Sequence, residues 1–191
     1  MNEAEREAID LASTSETMAP RTVHPAAGVM GRVIDRLGYV FAAGIVVGAI
    51  ILLVEVFLRY VFNSPTIWAH ETTIFLTGMS FIFGGLYCTA RDTHIRVVLI
   101  YDQLGPAARR VADVIIFLVS AVASGFFAYA AYQMASRAVF SPSGGFRLET
   151  TGSAWSPPTP ALLKSFIFIV MVLLAIQFVI LAVNTIRRTT R

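Results

Sequence analysis

Residues 37–58 read LGYVFAAGIVVGAIILLVEVFL, and Glu55 is the one charged group among them. A helix needs roughly 20 apolar residues to cross the hydrocarbon core of a bilayer. Three more runs of at least 22 residues meet that length, at 68–90, 111–134 and 162–183. Peptide groups at bilayer depth have no water to bond, so only helices or a closed barrel can cross. None of the runs alternates apolar with polar residues as barrel strands do. The fold class that follows is an all-α membrane protein with four transmembrane helices.

Working outward, the composition agrees. Of 191 residues, 56% are hydrophobic and 14% charged, and the mean hydropathy of +0.69 is too high for a soluble domain to hide in its own core. The net charge of +3 is scattered over segment ends and forms no recognition helix, which excludes a nucleic-acid partner. Membrane lipids are the surroundings this composition calls for. Cys88, the single cysteine, lies inside the second run; it excludes a disulfide framework and a C-x-x-C metal pair, and reads as a packing residue.

Residues 1–27 hold Glu3, Glu5, Glu7, Asp10 and Glu16 with Pro20 and Pro25, the composition of a flexible tail, and contain no secretory signal. A single membrane domain is expected over 28–191. Within it, Val29, Met30, Val33, Ile34 and Leu37 recur at helical spacing, which predicts a short amphipathic helix on the membrane surface before the first span. Eleven of the fifteen lysines and arginines fall before run one, between runs two and three, and after run four. The positive-inside rule then places both termini in the cytoplasm.

The connection at Asn63-Ser64-Pro65 is a tight turn, so the first two spans are antiparallel neighbours. Gly105-Pro106 breaks the second connection, where residues 95–104 could form a partial interfacial helix. The third, 136–160, is long and rich in Ser, Thr, Gly and Pro; such loops serve a partner or are mobile. Tyr60, Trp68, Tyr129, Tyr132 and Trp155 fall near one boundary and Tyr39, Tyr87 and Tyr101 near the other, as amphipathic rings do at headgroup depth.

Few residues carry chemistry. Glu55 precedes Arg59 by one helical turn in the favourable order for an ion pair. It reads as a boundary salt bridge in preference to an ion or proton ligand, since a transporting carboxylate would need polar partners at mid-membrane. Trp68, His70 and Glu71 open the second span, where they could couple to protons, hold a partner or pair locally; Glu71 also suits a helix N-terminus. Thr77, Gly78, Ser80, Gly84 and Gly85 make this helix the least lipid-like of the four, and Gly44 and Gly48 form a G-x-x-x-G in the first. A haem held by two imidazoles is disfavoured, because His70 and His94 lie at opposite ends of one span, roughly 36 Å apart at 1.5 Å per residue. No cofactor is expected, and no nucleophile with its base, phosphate loop or metal cluster marks an enzyme.

The stretches Arg59-Tyr60-Val61-Phe62-Asn63-Ser64-Pro65, Trp68-Ala69-His70-Glu71, Gly84-Gly85 and Arg91-Asp92-Thr93-His94-Ile95-Arg96-Val97, in this order and spacing, resemble the small membrane subunit, DctQ type, of tripartite ATP-independent periplasmic (TRAP) transporters. The resemblance implies a bacterial inner-membrane protein, a much larger membrane subunit that moves the solute, and a periplasmic solute-binding protein that captures it, commonly an organic acid. Transport would run on an ion gradient, and this chain would be a non-catalytic scaffold. It further implies that Arg59, Trp68 and Glu71, with His94 and Val97 on the inner side, stabilise the subunit and its junction with the large one; Arg96 lies within the inner motif. The sequence departs from the family pattern at His70, often acidic, and at Val98, often aspartate, for which Asp102 one turn on can compensate. The alternatives left by the residues alone are an independent proton-coupled carrier using Glu55, His70 and Glu71, and a membrane redox anchor.

Overall fold

A computed structural model describes residue 23 and residues 25–91, 105–141 and 144–189. Its elements are a 3-10 turn at Pro25–Ala27 followed by α1 (Gly28–Val61), α2 (Ile67–Ala90), α3 (Pro106–Val139) and α4 (Thr159–Thr189). All four helices are long and apolar enough to cross a membrane. At 1.5 Å per residue, the 34 residues of α1 extend roughly 51 Å, well past the ~30 Å hydrocarbon core, so α1 must tilt or project beyond it.

The amphipathic stretch expected as a separate helix is instead the first turns of α1. Nothing between Gly28 and Leu37 breaks the helix: there is no proline, and Gly31 is buried. The break comes earlier, at Gly28, whose φ of +66° is a conformation natural to glycine. Pro25–Ala27, assigned by composition to the tail, make a turn whose Ala26 and Ala27 are buried against Phe117, Phe178, Leu181 and Ala182.

Helix α1 packs on α2, α2 on α4 and α4 on α3, giving a row in which α1 and α3 form the two ends and do not pack on each other. The G-x-x-x-G of α1 is the α1–α2 seam: a side chain at Gly44 would meet Ser80, and one at Gly48 would meet Thr73 at 3.7 Å. Closer still, Gly38 lies against the Tyr87 ring, where a Cβ would come within 2.5 Å. Without lipid-water contrast to drive association, such close backbone approach is what holds membrane helices together. The α3–α4 seam is lined by Ser124, Ala128, Ala131, Ala135 and Ala138, all buried at helical spacing. Between the hairpins, Ile34, Phe83, Leu86, Ala90 and Val170 form a second core, with Phe41 stacked on Phe83 at 4.1 Å.

Hydroxyls inside the helices are satisfied locally. Thr73 donates to the Ala69 carbonyl at 2.8 Å, and Ser80 to Leu76 at 2.8 Å and across the seam to Phe41 at 3.2 Å. α2 is accordingly the most enclosed helix: 33% of its most apolar window is buried, against 11% for α1.

Candidate functional site

The polar residues gather at the two ends of the row. At the end carrying the loops, Leu58 accepts the amides of Phe62 (3.2 Å) and Ser64 (3.1 Å) while Asn63 adopts φ +50°, closing α1 with a left-handed residue as asparagine permits. The turn brings Thr66, the residue just before α2, onto Glu55. Glu55 is buried, and its carboxylate accepts from Arg59 Nη2 at 2.6 Å, from the Thr66 amide at 3.2 and 3.1 Å, and from the Thr66 hydroxyl. A buried carboxylate must be both paired and hydrogen-bonded. Glu55 is thus a staple that ties the α1–α2 turn to α1. Arg59, half exposed, turns its other edge outward.

Glu71, one turn into α2, accepts from the Thr151 hydroxyl at 3.2–3.3 Å, and Glu149 pairs with Lys164 near the start of α4. The long loop is thereby strapped across the ends of two helices. After α3, Ser141 and Gly145 close a tight hairpin (2.8 Å), and Arg147 and Glu149 donate their amides to Val139 (2.9 Å) and Ala138 (2.8 Å). A second turn around Gly152 and Ser156 leads into α4.

Trp68 and His70 are exposed, and among the described residues no hydrogen bond or ion pair joins His70 to Glu55 or Glu71. Beside His70 runs an open groove of about 580 Å³ between Leu52 of α1 and Ile74, Thr77, Gly78 and Phe81 of α2. A solute site would present several converging polar groups, which this apolar groove lacks. His94, Arg96 and Asp102, with Val97 and Val98, lie outside the described residues. Among those described, no group of three or more His, Cys, Asp or Glu side chains could hold a metal ion.

At the end carrying the termini, a clamp escaped sequence reasoning. Arg91 bonds Asp35 (2.6–2.7 Å) and lies 4.7 Å over the Tyr87 ring, with both charged side chains about four-fifths buried. Burial opposes the Arg91 charge, but the hydrogen bond to Asp35 and the fields of Tyr87 and Asp35 outweigh it and raise its pKa above the usual arginine value. Nearby, Asn184 donates to the Ala26 carbonyl at 2.8 Å, and fully buried Gln177 donates to that of Ala27 at 3.3 Å, leaving its own Oε1 without a partner. These pairings span 56 to 158 positions, and no local pattern announces them.

Four helices long and apolar enough to cross a membrane, with polar side chains that among the described residues fasten turns and helix ends, define the class as a multi-pass membrane protein. The profile of the family described as tripartite ATP-independent periplasmic transporters, DctQ component, matches residues 48–188. The chain belongs to that family, a family of transporter components and not of enzymes. No curated protein matches it.

Proposed function

We propose that this chain is the small, non-catalytic permease subunit of a TRAP transporter, fixing the large membrane subunit in place while that subunit carries an organic acid or related solute across the bacterial inner membrane. The solute is delivered by a periplasmic binding protein, and uptake draws on an ion gradient. Both termini lie in the cytoplasm, so the 62–66 turn and the 140–158 loop face the periplasm. The family match carries this reading. The chemistry of the polar residues supports it: Glu55 and Glu71, the carboxylates a proton path would need, are held by Thr66, Arg59 and Thr151.

Reconstitution tests the proposal. Vesicles holding this chain alone should accumulate no solute, and uptake should appear when the large subunit and the binding protein are added. Uptake by the chain alone would overturn the reading. For the junction with the large subunit we propose Arg59, Trp68, Glu71 and, from the inner motif, His94, with His70, Arg96 and Asp102 as further candidates. Replacing Arg59 or Glu71 should reduce co-purification or uptake; unchanged values in both variants would refute their part in it.

A further inference from the structure

We propose that Arg137 and Arg147 form a binding site for the phosphate of an anionic lipid headgroup at the loop end of α3. The two residues line a pocket of about 290 Å³ together with Ala138, Phe140, Leu148 and Thr150. Both are exposed, and among the described residues neither guanidinium has an acidic partner. The one carboxylate on the pocket wall, Glu149, is already paired with Lys164, so the two arginine charges are uncompensated. The loop fixes their spacing: the Arg147 amide donates to Val139 at 2.9 Å, which holds that residue beside the last turn of α3, where Arg137 lies. Guanidinium groups bind phosphate oxygens through paired N–H donors, which suits such a fork.

The surroundings favour a lipid over a soluble anion. α3 ends the helix row, and its Phe126, Tyr129 and Tyr132 are exposed on the way to Arg137. Beyond it, Phe140 and Phe146 form an edge-to-face pair at 6.2 Å, 53% and 72% exposed, an apolar knob next to the cations. Aromatic rings followed by arginine mark headgroup depth on a transmembrane helix. An acyl chain along α3 and a phosphate on the arginines would cover both surfaces at once. The site is independent of which protein partners the chain has.

The full chain, purified and delipidated in neutral detergent, is titrated with phosphatidylglycerol or phosphatidylcholine, and bound lipid is counted by native mass spectrometry. Two guanidinium–phosphate contacts at a membrane surface should favour phosphatidylglycerol by roughly tenfold or more. That preference should vanish in Arg137→Gln/Arg147→Gln, whose helicity and lipid-free Tm should match the parent; should the pair fail to fold, Arg147→Gln alone, confined to the loop, should halve the preference or better. Equal retention of the two lipids, or a preference that survives the substitutions, overturns the proposal. Displacement of the lipid by inorganic phosphate at equal concentration overturns it in favour of a free-anion site. If the substitutions spare lipid binding but abolish capture of the soluble binding protein, the pocket is a protein contact and the proposal is likewise overturned.

Discussion

At the scale of single residues, the contacts with least slack are the most exposed to test. Gly38→Ala would drive a methyl to within 2.5 Å of the Tyr87 ring, and overpacking of this kind should cost about 1–3 kcal/mol, read as a lower Tm in detergent. The same ring carries Arg91, so the displacement should also loosen the Asp35 pair. A double-mutant cycle with Asp35→Asn and Arg91→Met should give a coupling of about 1 kcal/mol, modest because both side chains still meet solvent. Glu55→Gln keeps the shape but weakens the bonds to Arg59 and Thr66; its Tm should fall, and the 62–66 turn should become open to protease. Glu71→Ala should instead expose the 140–158 loop, since Thr151 loses its acceptor. Opposite cleavage patterns in these two variants would contradict the assignment of one carboxylate to each loop.

Among elements, the seams set a graded expectation. At Gly48 a Cβ has ordinary contact at 3.7 Å, so Gly48→Ala should be tolerated while Gly48→Leu should cost about 1–3 kcal/mol by forcing α1 off α2. The helices themselves were legible because bilayer thickness fixes the length of the apolar run: 68–90 expected, Ile67–Ala90 observed. The small-residue spacing at Gly44 and Gly48 also pointed to a helix seam, and the Glu55–Arg59 spacing to an ion pair. Where α1 begins was not legible, since amphipathic periodicity is the same in a surface helix and in the projecting end of a long one. Nor were Asp35–Arg91, Gln177–Ala27 or Thr151–Glu71, because a hydrogen bond between distant segments depends on which helices become neighbours. Composition marked the 136–160 loop as irregular but could not show that its amides return to the end of α3.

For the whole molecule, the order α1, α2, α4, α3 is the prediction. In a Cys88→Ala background, cysteines at Gly78 and Leu163 should cross-link with a short reagent, because those positions touch across the α2–α4 seam. Cysteines at Val47 and Val122, on the two end helices, should not; linkage there at dilute protein would mean a closed bundle. A row leaves broad apolar faces on α1 and α3 for lipid or for a neighbouring subunit. The 3-10 turn at Pro25–Ala27 has a further consequence, for biosynthesis. The bonds Glu55–Thr66, Phe41–Ser80 and Asp35–Arg91, which join α1 to α2 and the turn before it, all lie between Asp35 and Arg91, so the first hairpin can close while α3 is still on the ribosome. The turn just ahead of α1 must wait for Gln177 and Asn184, which are translated 150 and 158 positions after their partners. That turn thus stays undocked until α4 has been made, and its docking reports that the fourth helix has joined the row.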